Sequence, residues 1–138
     1  VNEIVSLAEA LRLIHAEGLP ARFARHRRLA NAVRAGLGAL GLAYFTEASC
    51  RADTLSVVCL PDGIADTAFR KETAARGVVL AGGLGPLAGK AFRFGHMGNI
   101  GAGEVAFALC VIEESLRAVG LSVEPGTALS AASRHLAG

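Results

Sequence analysis

Gly82-Gly83-Leu84-Gly85-Pro86-Leu87-Ala88-Gly89-Lys90-Ala91-Phe92-Arg93-Phe94-Gly95-His96-Met97-Gly98 is the stretch on which the reading of this chain turns. Its first half is a glycine-rich loop with one proline, a composition suited to positive-φ turns and close backbone approach. Its second half alternates, placing Phe92 and Phe94 on one face and Arg93 on the other, as a strand does. A strand rather than a helix after the loop argues against two phosphate-cradling motifs. Gly89-Lys90 is followed by Ala91 instead of Ser or Thr, so the loop is not a Walker A motif, and no Rossmann helix follows. The glycines read first as a tight β–β connection.

Working outward, Val78–Ala81 is apolar and strand-sized, and it follows a predicted helix over 67–76 with Asp66 as N-cap and Gly77 as terminator. Thr54–Leu60 is β-branched and apolar and runs into the turn residues Pro61-Asp62-Gly63, so it reads as a strand. Leu42–Phe45 reads as a further short strand and Glu47–Asp53 as a polar loop. Ahead of these lie two helices. The first, over 3–16, carries Ile4, Leu7, Ala8, Leu11 and Ile14 at helical spacing; the second, over about 20–40, carries Phe23, Ala30, Val33, Leu37 and Leu40. Gly18 and Pro20 separate them as a stop and a restart. Downstream, Val105, Leu109, Ile112, Leu116 and Val119 define a third long helix, with Asn99 as a candidate cap and Gly120 as its end. Residues 121–138 lose this period and read as a tail with a helical turn near Ala128–Leu136. The expected organisation is therefore one domain over 1–120 and a tail over 121–138. The element order predicts an α+β two-layer sandwich, a small, mostly antiparallel sheet with helices packed on one face.

Composition narrows the functional classes. With 52% apolar and 19% charged residues in 138, the chain is not of the disordered type. No apolar run approaches the roughly 18 residues of a membrane span, and no signal-peptide pattern is visible, so no membrane partner is expected. Cys50, Cys59 and Cys110 are odd in number and unpaired by any C-x-x-C spacing, which points to free thiols and a cytoplasmic location. No two histidines share an i, i+4 spacing, so no metal site is assigned; His96 reads as a structural side chain beside a glycine bend. Arg22, Arg25, Arg27 and Arg28 form a local basic cluster, but a net charge of +2 is too small to imply nucleic acid. That cluster reads as a solvated face or an inter-domain contact. Arg93 has two readings, an exposed strand arginine or a rigid fork matching a carboxylate.

Glu17-Gly18-Leu19, Arg25-His26-Arg27 and the block Gly82-Gly83-Leu84-Gly85-Pro86, Gly89-Lys90, Phe92-Arg93-Phe94-Gly95-His96-Met97-Gly98 together resemble the C-terminal small domain of class V aminotransferases. The similarity is to the alanine–glyoxylate and serine–pyruvate branch and covers roughly residues 1–118 in order. The resemblance implies a pyridoxal-phosphate enzyme that moves an amino group between a small amino acid (alanine or serine) and a 2-keto acid (glyoxylate or pyruvate). It implies that Arg93 binds the substrate carboxylate, since one planar fork serves donor and acceptor alike. It also implies that the Schiff-base lysine and the other cofactor contacts belong to a large domain not present in this chain. The chain has twelve arginines and only two lysines. Lys71 belongs to a solvated helical stretch, and Lys90 matches a family lysine other than the Schiff-base one. The expected partners are that large domain, the amino acid and keto acid, and a second subunit in a homodimer; the isolated chain is predicted inactive. The alternative is a non-catalytic α+β module that holds a small anionic metabolite in the glycine loop.

Overall fold

The computed structural model describes residues 1–137. Two helices open the chain, α1 (Asn2–Glu17) and α2 (Leu19–Ala39). Gly18 joins them at φ 81° and donates its N–H to the Ile14 carbonyl at 2.9 Å, closing α1 where a side chain with Cβ would be strained. There follow β1 (Leu55–Cys59), α3 (Asp66–Ala75), β2 (Ala81–Gly82), β3 (Ala91–Gly95), α4 (Ala102–Ala118) and α5 (Thr127–Leu136). The sheet is antiparallel throughout, in the order β1-β3-β2. The α+β architecture expected from the element order is the one found.

Alternation along the strands sorts side chains between two faces. Ser56, Val58, Phe92 and Phe94 are buried towards the helices, with Phe92 against Phe69 of α3 at a ring separation of 5.0 Å. Leu29, Val33 and Leu37 of α2, and Leu109, Ile112 and Leu116 of α4, complete that core with no exposed surface. Each such side chain contributes about 1.5–3 kcal/mol by leaving water. The other face carries Leu55, Val57, Cys59 and Arg93, all half-buried.

Four local expectations change. Leu42–Phe45 does not form a strand but a single bridge between Tyr44 and Val58. Val78–Ala81 contributes only Ala81 to the two-residue β2. Asp66 does not cap α3; it begins the helix and holds Arg70, one turn on, through two hydrogen bonds of 2.9 Å. Asn99 does not cap α4 either: Gly101 occupies that place, and its N–H donates to Glu104 at 2.9 Å.

In the stretch read as a tail, residues 127–136 form the full helix α5. Ala128 and Ala132 are completely buried against α2 and α4. The approach is close enough that a Cβ on Gly36 of α2 would lie 3.0 Å from the Ala128 carbonyl oxygen. Glu113 of α4, 3% exposed, accepts N–H bonds from Gly126 at 2.5 Å and Ala128 at 2.7 Å. A tertiary carboxylate thereby caps a helix whose own N-cap residue, Gly126, has no side chain to offer.

Candidate functional site

Arg93 lies at the centre of the middle strand, with Val57 of β1 on one side and Ala81 of β2 on the other. Its guanidinium faces away from the helical core. Nε–H donates to the Gly82 carbonyl at 2.9 Å, which fixes the plane of the side chain against the edge strand. No partner is recorded for either terminal nitrogen among the described residues. Their four N–H groups therefore remain available for a planar, two-oxygen acceptor. The sequence pattern could expose Arg93 but not its orienting partner, because a backbone carbonyl on a neighbouring strand leaves no signature in residue type.

The glycine loop holds this arrangement through its own backbone. Gly83 donates to the Ala91 carbonyl at 2.7 Å, and the short 3-10 turn Gly85–Leu87 carries the chain back to β3. A Cβ at Gly83 would sit 2.1 Å from the Leu87 carbonyl oxygen, so only glycine fits there. The expectation of a tight β–β connection holds for these residues.

Beyond β3 the chain is clamped by the basic cluster of α2. His26 is 6% exposed, and its Nε2 accepts the Gly98 N–H at 3.1 Å. Its Nδ1 lies 2.8 Å from the Arg22 carbonyl, an arrangement that places the ring proton on Nδ1. Arg25 donates to the carbonyls of Gly98 at 3.0 Å and Ile100 at 2.7 Å. It also makes two bonds to Glu17, of 2.6 and 2.8 Å, and Arg22 donates to the same carboxylate at 2.8 Å. The Arg25 guanidinium, aided by Arg22, holds the Glu17 carboxyl down to about 2. Arg22 and Arg25 are thus internal ties between the helix pair and the loop after Arg93 rather than a solvated face.

His96 is wholly buried, three residues beyond Arg93. Its Nε2 lies 3.0 Å from the Ser56 hydroxyl, and burial together with the positive charge of Arg34 pushes its pKa down to about 4. The ring is therefore neutral near pH 7 and serves as a core pin. A cleft of about 500 Å³ opens beside this loop, lined by Arg22, Phe23, His26, Arg27, Asp53, Thr54, Met97 and Gly98. Arg93 is not among its lining residues. The cleft's charged groups are already paired, Arg22 with Glu17 and Arg27 with Asp53.

Three comparisons place this geometry among known proteins. No family model matches the chain. An uncharacterised aminotransferase of Methanocaldococcus jannaschii is 42% identical over 90% of the chain and 32% of its own length. The (S)-ureidoglycine–glyoxylate transaminase of Bacillus subtilis is 39% identical over 94% of the chain and 32% of its own length. A Synechococcus protein named as the small subunit of a soluble hydrogenase is 37% identical over 99% of the chain and 36% of its own length. The crystal structure of the B. subtilis ureidoglycine–glyoxylate aminotransferase superposes with a TM-score of 0.87 over 92% of the chain and 33% of its own. That of the pyridoxamine–pyruvate aminotransferase of Mesorhizobium loti superposes with a TM-score of 0.86, also over 92% of the chain and 33% of its own.

Along about nine-tenths of its length the chain is similar to proteins named as aminotransferases. It spans about one third of the length of the relatives it matches. Neither lysine of this chain fits a cofactor anchor. Lys71 on α3 and Lys90 at the end of the glycine loop are both exposed, whereas a lysine that reacts with a carbonyl at neutral pH needs a desolvated setting.

Proposed function

We propose that this domain is the carboxylate-binding part of an aminotransferase that exchanges an amino group between alanine or serine and glyoxylate or pyruvate. The observation that carries the reading is Arg93, tethered through Nε to Gly82 and unpartnered at both terminal nitrogens. A guanidinium held in this way presents two parallel N–H bonds to a carboxylate, the group that amino acids and 2-keto acids share. Binding it there orients the amino or keto carbon without discriminating between the two substrates. Relatives named for ureidoglycine–glyoxylate, serine–glyoxylate and pyridoxamine–pyruvate exchange support the pairing of an amino donor with a small keto acid.

Pyridoxal phosphate is the cofactor of this reading, held by residues outside the present chain, in a homodimeric cytoplasmic enzyme. Among the described residues no helix is long and apolar enough to cross a membrane. The test is a pair of measurements with alanine or serine and glyoxylate or pyruvate. The full-length enzyme should absorb between about 330 and 430 nm and transaminate, with the band shifting when the amino acid is added. The 138-residue chain, incubated with pyridoxal phosphate and then freed of unbound cofactor by dialysis, should keep no such band and should not transaminate. A full-length enzyme with no such band, or an active isolated chain, would refute the reading.

A further inference from the structure

The carbonyl that fixes the plane of Arg93 belongs to Gly82, in a strand of two residues at the edge of the sheet. Such a strand has little of its own to hold it: Val79 before it is 86% exposed and Leu84 after it 67%. Gly82 stands opposite Phe92, whose ring is buried on the helix side, so the side-chain direction of Gly82 points to that side as well. The Arg70 guanidinium of α3 covers that place. Its Nε, Cζ and Nη2 lie 3.4, 3.5 and 3.5 Å from where a Cβ on Gly82 would stand, an ordinary van der Waals approach. Nε and Nη2 of Arg70 also donate to the two oxygens of Asp66 at 2.9 Å each, a parallel fork that fixes the guanidinium. The Asp66 side chain is 6% exposed, and α3 itself is pinned by Phe69 against Phe92. An i,i+4 ion pair adds little to a helix, and burial of its carboxylate opposes even that. What distinguishes this pair is its orientation onto Gly82.

We propose that Arg70, held by Asp66, is a positioning residue for Arg93, covering Gly82 from the helix face while the Arg93 Nε–H holds the Gly82 carbonyl from the outer face. This role rests on the reading of Arg93 as the carboxylate fork, and it names what keeps the fork in plane. A guanidinium orients a carboxylate through two parallel bonds only while its own plane is fixed. With Nε tied to Gly82, that plane moves as β2 moves, and Arg70 restrains β2 on the side that glycine leaves open. The effect of Arg70 reaches the carboxylate through Gly82 and Arg93. It therefore acts alike on an amino acid and a keto acid, which share the carboxylate, and on binding rather than on turnover. Arg70 and Arg93 should also be coupled, since residues that act through one tether do not contribute additively.

The test uses the full-length enzyme and propionate, a carboxylate with no amino or keto group to exchange, beside turnover of alanine with glyoxylate. Arg70→Ala should raise the calorimetric Kd of propionate about five- to tenfold. It should raise KM for alanine and for glyoxylate by the same factor, with kcat within about twofold. Asp66→Asn leaves Arg70 one of its two bonds and should give a rise of about two- to threefold; where Arg70→Ala does not fold, this variant decides. In an Arg93→Lys background Arg70→Ala should add no further loss, because the Nε tether is already gone. An unchanged propionate Kd in the folded variants, a loss fully additive with that of Arg93→Lys, or a fall in kcat with KM unchanged would overturn the positioning role. Propionate binding that Arg93→Lys leaves unchanged would refute the carboxylate reading itself. Binding that Arg93→Lys weakens and Arg70→Ala does not would refute the positioning role alone.

Discussion

Arg93 and His96 lie three residues apart on β3 and beyond it, and their settings differ completely. Arg93 faces outward, with one nitrogen tied to Gly82; His96 faces inward, with no exposed surface. That burial makes His96 a source of acid sensitivity. Its pKa falls from an ordinary 6.5 to about 4 on folding, so between those values the unfolded chain holds a proton that the native state does not. Stability from this residue is complete above about pH 6.5 and is lost as pH falls to about 4, an effect of about 3 kcal/mol. Burial and the positive charge of Arg34 of α2 disfavour a charge on the ring, while the backbone at Asp53 opposes them. Urea unfolding at pH 7 and pH 4.5 should show the loss, and His96→Gln should flatten it. An equal slope in the variant would place the acid sensitivity elsewhere.

At the scale of elements, α5 shows how far a helix can depend on its neighbours. Glu113 satisfies two N–H groups at its start, and Gly36 lets α2 come within contact of Ala128. Glu113→Gln keeps one acceptor and should cost about 1–2 kcal/mol; Glu113→Ala strands both donors and should cost about 2–4 kcal/mol, read from the urea midpoint. For Gly36→Ala, helix propensity offers up to about 1 kcal/mol, against about 1–3 kcal/mol for overpacking beside a backbone carbonyl. The net change should be destabilising. A stabilised variant would mean that α5 can move away.

The same contrast explains what could be read in advance. α2 and α4 carry long apolar periods with glycine or proline punctuation, and β1 and β3 carry β-branched or alternating runs, so their local chemistry and their tertiary roles agree; α1 carries such a period too but buries none of it within this chain. In α5 only Ala128 and Ala132 are buried; two methyl groups make a weak period, and its cap comes from Glu113 in another helix. Leu42–Phe45 has strand composition, yet it meets β1 at a single bridge, Tyr44 opposite Val58, flanked by the Phe45 N–H to Val57 and the Cys59 N–H to Ala43. For the candidate site, the place of Arg93 on the outer face of β3 was legible from its alternation with Phe92 and Phe94. The Gly82 carbonyl that orients it, and the ties from His26 and Arg25 to the Gly98 loop, depend on three-dimensional proximity that spacing alone does not encode.

The whole molecule is a sealed core with two unfinished surfaces. The apolar residues that make up 52% of the chain fill the space between the sheet and helices α2 to α5. They also leave α1 uncovered, and the outer sheet face presents Arg93 without a second wall. The two lysines are both exposed, and in the proposed function the covalent chemistry lies outside this chain while Arg93 has the task of binding a carboxylate. The most direct test of that task is kcat/KM for alanine in the full-length enzyme bearing Arg93→Lys. Replacing the fork by a single ammonium should cost about 1.5–3 kcal/mol of carboxylate binding, a fall of about 10- to 150-fold, with the thermal midpoint unchanged. An unchanged kcat/KM for alanine would contradict Arg93 as the group that receives the substrate.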